Sequence, residues 1–112
     1  MARTHPPTTL RCSVHEILTE ATEAVGPQLR SEHVHVEHRF NAARDTVWGD
    51  PRDLEGVFVN LLVNAGEAMR GGGRIRLHTE DVDGPAESAG WIRVRVSDEG
   101  PGVPEGIREQ IF

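Results

Sequence analysis

The sequence predicts an α+β fold, a two-layer sandwich with helices on one face of a mixed sheet. Three observations point there. Apolar residues recur at helical spacing in two segments and alternate with period two in the segments between and after them. The order runs helix, strand, strand, helix, strand, strand, which suits a layer of helices over a sheet. With 112 residues and no internal repeat or low-complexity tract, the chain has room for one such domain and not two.

The elements follow in order. Residues 1–12 read as a disordered lead-in, because the first nine (MARTHPPTT) are polar and carry two prolines. Ser13 with Glu16 three residues on makes a capping box. Behind it Val14, Ile17, Leu18, Ala21, Val25 and Leu29 form a helical stripe, which Gly26-Pro27 is expected to kink or end. From His33 to Phe40 the period changes to two, with Val34, Val36, His38 and Phe40 on one face. Asn41 to Asp45 turn the chain, and Thr46-Val47-Trp48 is a short second strand.

Asp50-Pro51 opens the second helix, since Asp caps and Pro suits the first helical position. That helix is expected to reach about Arg70 and to stop at Gly71-Gly72-Gly73. Strands around Arg74 to Glu80 and Trp91 to Asp98, joined by a long polar loop, complete the pattern as a hairpin.

Composition narrows the function. Hydrophobic residues make up 37% and charged residues 27%, as in a globular protein, and the net charge of −6 argues against nucleic acid or an anionic membrane as partner. All 12 basic residues are Arg, so no lysine chemistry is available. The single cysteine, Cys12, allows no internal disulfide and fits a reducing cytoplasmic setting. No apolar run is long enough to span a bilayer, and the first residues lack the layout of a signal peptide. A cytoplasmic location without direct membrane contact is expected, within a parent protein that can itself be membrane-anchored.

The second helix has two faces. Leu54, Val57, Phe58, Leu61, Leu62, Ala65, Ala68 and Met69 are expected to face the sheet. Asn60, Asn64 and Glu67 share a separate stripe. Asparagine is a poor helix former because its amide competes with the backbone. Two of them in register suit Mg²⁺, a hard ion that takes few protein oxygens and fills its octahedron with water and phosphate. Their neutral carbonyl oxygens add no charge to repel a phosphate. On this helix alone, two asparagines bonded to solvent or a loop remain an equal reading.

Asp98 shares a strand face with Ile92, Val94 and Val96 and so ends an apolar row. Asp98-Glu99-Gly100-Pro101-Gly102 follows without a break. The glycines permit close approach of a flat ligand to the main chain, and a sheltered carboxylate accepts a hydrogen bond from an exocyclic amine such as that of adenine. On this loop alone an ordinary strand-ending turn is the preferred reading.

Together the two segments resemble a known family. Asn60-Leu61-Leu62-Val63-Asn64-Ala65-Gly66-Glu67-Ala68-Met69 resembles the N box of sensor histidine kinases. Val96-Ser97-Asp98-Glu99-Gly100-Pro101-Gly102-Val103-Pro104, running on to Ile111-Phe112, resembles their G1 box and the start of the F box. The order is right, the interval from Asn64 to Asp98 holds the expected hairpin, and the resemblance covers residues 13–112. The Glu-Ala-Met and glycine-rich continuation is most similar to kinases related to nitrogen-regulation sensors.

The resemblance implies the ATP-binding domain of a histidine kinase, in the superfamily shared with type II topoisomerase and MutL-type ATPases. It implies ATP and Mg²⁺ as cofactors: Asn64 as metal ligand, Asn60 as a catalytic residue assisting at metal and phosphates, Asp98 on the adenine amine, and Gly100 and Gly102 shaping that pocket. Related ATPases carry a catalytic Glu where Asn60 stands, which favours kinase over hydrolytic chemistry. Glu67 departs from the basic residue of many kinases, and its role stays open. The implied partners are the kinase's own dimerisation and phospho-acceptor domain and a response regulator receiver domain. By the same resemblance residues 13–112 are a partial domain, incomplete at the C-terminus before the ATP lid and G2 box. The chain alone is then expected to bind ATP weakly or undetectably and not to phosphorylate itself.

Other leads are weaker. His15-Glu16 superficially resembles a phospho-acceptor box, but the expected proline is missing, and a first-turn surface residue is the preferred reading. His33, His35 and Glu37 on one strand face lack a fourth zinc ligand, which favours a solvated face. Gly71 to Gly73 lacks a following Lys-Ser/Thr and reads as a helix stop, not a phosphate cradle. Two other functions stay open: an anti-sigma-type serine kinase or hydrolytic ATPase of the same fold, and a non-catalytic remnant or interaction domain.

Overall fold

The computed structural model describes residues 9–69, 71–83, 90–100 and 103–112. Its elements are β1 (Leu10–Ser13), α1 (Val14–Ser31), β2 (Val34–Phe40), β3 (Thr46–Gly49), α2 (Pro51–Glu67), β4 (Gly73–Val82), β5 (Trp91–Gly100) and β6 (Val103–Ile111). A four-stranded mixed sheet has the order β2-β4-β5-β6, with β2 parallel to β4 and the other pairs antiparallel. Strands β1 and β3 form a separate antiparallel ribbon.

The core lies between α1, α2 and one face of the larger sheet. Val14, Leu18 and Leu29 of α1 and Phe58, Leu62 and Ala65 of α2 meet Ile75, Leu77, Ile92, Val94 and Val96. Each large aliphatic or aromatic side chain so buried contributes about 1.5–3 kcal/mol. Phe58 packs edge-on against Phe112, with ring centroids 5.6 Å apart, and Phe112 is held to Ile92 by two 2.9 Å backbone hydrogen bonds. The opposite face of the sheet is a lattice of ion pairs. Glu37 and Glu99 pair with Arg74 and Arg76, and Glu80 and Glu109 with Arg93 and Arg95. Such exposed pairs contribute little individually, and their charges offset one another.

Several expectations need correction. Leu10, Arg11 and Cys12 are not lead-in. They pair with β3, and Cys12 is buried; four residues are too few for the alternation to stand out. The part of the lead-in over residues 1–8 lies outside the described residues. Helix α1 runs unbroken through Gly26-Pro27. Pro27 is exposed, so the carbonyl it leaves unbonded faces water, while buried Val25 and Leu29 hold the last turn.

His33 is not part of β2. It takes a left-handed conformation (φ 61°) just past the end of α1 and therefore does not share a strand face with His35 and Glu37. Glycines 71 and 72, both at positive φ, follow α2, and the Gly73 amide donates to the His33 carbonyl at 3.3 Å, so the two helix exits are tied together. The chain after Gly100 returns as β6, pairing Gly100 with Val103, a sixth strand beyond those that the sequence pattern predicts.

On α2, Val57 (39% exposed) and Ala68 do not face the sheet as expected. Val59 and Val63 pack against the core instead, because α1 covers that flank and widens the buried stripe.

Candidate functional site

Asp50 caps α2, its carboxylate accepting from the Arg52 amide at 2.9 Å, with Pro51 in the first turn. The buried set Phe58, Leu62, Ala65 and Gly66 fixes the rotation of the helix. Asn60, Asn64 and Glu67 then fall on its exposed side, beside Val57 and Ala68. The two amides stand one turn apart, free to meet a ligand, on a flank that is partly apolar.

Helix α2 packs directly on β4 and β5. In β5 the residues alternate between core and open face, so Ile92, Val94, Val96 and Asp98 all turn toward the helices. Asp98 is only 5% exposed and sits opposite Ile75 on one side and Gly106 on the other. Among the described residues it is, with Thr79, one of two buried polar side chains. A carboxylate in so sheltered a place is costly to bury without hydrogen bonding. Gly100 ends β5 two residues later, next to a register shift between Asp98 and Gly100. Gly102 lies outside the described residues. The Asn pair and Asp98 are thus carried by two elements in direct contact, one side exposed and the other buried.

A second polar cluster escaped the sequence reading. His15 is not a surface residue of the first turn: its side chain is 23% exposed and both ring nitrogens are engaged. Nδ1 lies 3.3 Å from Asp45 Oδ2 and Nε2 2.7 Å from Thr79 Oγ1. The carboxylate neighbour calls for a proton on Nδ1, and the Thr79 hydroxyl, which accepts from the Ala42 amide at 3.3 Å, completes a second hydrogen bond at Nε2. The ring also stacks on Phe40 (4.5 Å), which stacks on His38 (4.7 Å). Burial lowers the pKa of His38.

Asp45 anchors the start of α1. Its Oδ2 accepts from Ser13 Oγ at 2.6 Å and from the His15 amide at 3.0 Å. Burial pushes this carboxyl up, but those hydrogen bonds and the His15 charge outweigh it and hold the group below its ordinary range. No local spacing links Asp45 to Ser13, so only the folded turn reveals the contact.

In this arrangement an asparagine-bearing helix lies over a sheet strand that ends in a sheltered aspartate and a glycine. The chain belongs to the histidine kinase-, DNA gyrase B-, and HSP90-like ATPase family, whose model matches residues 49–112, from the end of β3 through both motifs. It is 32% identical to the sensory histidine kinase/phosphatase NtrB of Rhodobacter capsulatus, over 96% of this chain and 32% of that protein. The chain therefore spans about a third of that relative. Among solved structures, the histidine kinase ThkA in complex with the response regulator protein TrrA superposes with a TM-score of 0.69 at 21% identity, covering 88% of this chain and 28% of that one. The Acinetobacter baumannii histidine kinase AdeS superposes at 0.64 and 17% identity, over 89% and 46%. At these identities the structural likeness concerns the fold, a helix layer on a mixed sheet. Among the described residues no helix is long and apolar enough to cross a membrane.

Proposed function

We propose that this domain binds Mg²⁺-ATP between α2 and the end of β5 and presents it for phosphoryl transfer to a histidine on a separate helical domain. A response regulator receiver domain is the onward acceptor. The observation that carries the reading is the pairing of an exposed Asn60/Asn64 flank with Asp98, 5% exposed, on the strand beneath. The donor set fits the group. Asn64 offers a neutral oxygen to a hard divalent cation, and Asn60 one turn earlier supports metal and phosphates. Asp98 accepts from the exocyclic amine of adenine, and Gly100 with Gly102 lets the backbone approach the base. Bound Mg²⁺ supplies charge neutralisation at the phosphates; the protein's own work is positioning.

Sensor kinases among the relatives, and Asn60 where hydrolytic cousins are expected to carry Glu, favour kinase chemistry over simple hydrolysis. The test is the metal dependence of ATP affinity. ATP should bind more tightly with Mg²⁺ than with EDTA, and Asn64→Ala, a change at an exposed position, should erase that difference. Equal affinity in both buffers for the unaltered chain, or an undiminished difference in the variant, overturns the metal assignment.

A further inference from the structure

At the opposite end of β5 from Asp98 a cleft of about 520 Å³ opens between the β1–β3 ribbon and the β4–β5 hairpin. Trp91 and Asp98 stand seven residues apart on one strand, roughly 24 Å at the usual rise of a strand, and face opposite sides of it. The cleft is therefore separate from the proposed nucleotide site. Its size is in the range of small-molecule sites, roughly 300–1,000 Å³.

The lining is unusual in its hydrogen-bonding character. Both tryptophans of the chain, Trp48 (71% exposed) and Trp91 (40% exposed), border it together with Arg11 and Arg44. Indole and guanidinium groups are donors without an acceptor. On the open sheet face Arg74, Arg76, Arg93 and Arg95 are paired with glutamates. Among the described residues, Arg11 and Arg44 have no such ion pair.

The two carboxylates in the lining are turned to internal duty. Asp81 accepts from the Ala43 and Arg44 amides at 2.8 and 3.1 Å, which braces the cleft floor, and Asp45 accepts from Ser13 and His15. Those two backbone hydrogen bonds, aided by the Arg44 charge, keep the Asp81 carboxyl below its ordinary range and so ionised in place. Formal charge in the lining balances, and with both carboxylates bonded internally the indole and guanidinium donors stand out, mounted on flat, apolar or delocalised surfaces. Guanidinium planes stack on aromatic rings and bind carboxylate or phosphate through paired N–H groups.

We propose that this cleft is a second binding site, for a flat organic anion that joins an aromatic ring to a carboxylate or phosphate. Arg11 and Arg44 hold the anionic group, and Trp48 and Trp91 hold the ring.

The two indole N–H signals in a ¹⁵N-resolved proton NMR spectrum of the whole chain report the site directly. Phenyl phosphate and benzoate serve as probes for the two anion types, inorganic phosphate as charge without ring, and benzamidine as ring with the opposite charge. Saturating shifts of both indole signals are expected with phenyl phosphate, benzoate or both, and neither control should reproduce them. Replacing both Arg11 and Arg44 by Ala should weaken that binding by about tenfold or more, whereas Asp98→Ala should leave it unchanged. Because Arg11 and Arg44 are exposed, the variant's amide spectrum should otherwise match the parent's; Arg44→Lys alone should give an intermediate loss if the paired N–H geometry matters. Non-saturating shifts, equal shifts with benzamidine or with inorganic phosphate, or binding indifferent to the two arginines overturns the proposal.

Discussion

Leu29 Cδ2 of α1 stands 2.6 Å from the place a Cβ on Gly66 of α2 would occupy. Both residues are buried, and Gly66 lies two positions after Asn64. The absence of a side chain at 66 sets how closely the two helices pack, and with it the height of the asparagine stripe over the sheet.

Gly66→Ala is therefore expected to destabilise the chain despite Ala's better helix propensity. Forcing a buried leucine aside costs about 1–3 kcal/mol, and the propensity gain returns about 1 kcal/mol. A net loss of about 1 kcal/mol in urea unfolding should result, and the loss should vanish in a Leu29→Ala background, where the obstructing methyl is gone. An unchanged cost in that background would mean the contact is not the cause.

Asp45 holds the first turn of α1 from thirty residues away in sequence. Removing such a cap costs roughly 1–2 kcal/mol, so Asp45→Ala should lower unfolding free energy by that amount at neutral pH. The charge has its own signature. A carboxyl lowered in the folded state stabilises it fully above the unfolded value of 3.8 and loses that contribution as pH falls through the lower folded value. The stability difference between the parent and Asp45→Asn should accordingly be constant above about pH 5 and close below pH 3.8. A gap that persists into strong acid would show that shape, not charge, is what Asp45 supplies.

His33 holds a left-handed backbone that costs an L-residue about 1–2 kcal/mol, and glycine adopts it freely at an entropic cost of about 0.5–1 kcal/mol. Its side chain is exposed. His33→Gly should raise stability by about 0.5–1 kcal/mol, read as a higher urea midpoint at unchanged slope. A lower midpoint would show that the imidazole makes a contribution beyond the turn.

The parts legible in sequence were those carried by strong periodicity or by a local rule. The stripe Val14 to Leu29, the alternation to Asp98, and the Ser13 and Asp50 caps are all found where the pattern puts them. What escaped depends on partners distant in sequence. Leu10 to Cys12 become a strand only because β3 is there to pair with, and His15 is drawn inward only because Asp45 and Thr79 meet it. Val57 and Ala68 fit the helical stripe as well as their buried neighbours; only the position of α1 decides which flank is covered. Motif order supplied the names of the candidate site residues, while the burial of Asp98 and the exposure of both asparagines emerged from the packing of α2 on β5.

His15 bears on the kinase reading too. Both its nitrogens are engaged and the ring is stacked on Phe40, so it is not poised to attack a phosphate. Incubation of the chain with γ-labelled ATP should leave no acid-labile label on it. Label recovered on His15 would contradict the geometry of this cluster.

The central claim, an adenine nucleotide site spanning Asn60, Asn64 and Asp98, is tested most directly by titrating the ¹⁵N-labelled chain with Mg²⁺-ATP to millimolar concentrations. This range detects even weak binding. Saturating shifts are expected at the side-chain amides of Asn60 and Asn64 and at the backbone of Asp98, with clearly smaller ones for Mg²⁺-GTP, whose carbonyl oxygen Asp98 repels. Signals at these three residues that stay still through the titration, or move equally with GTP, would contradict it.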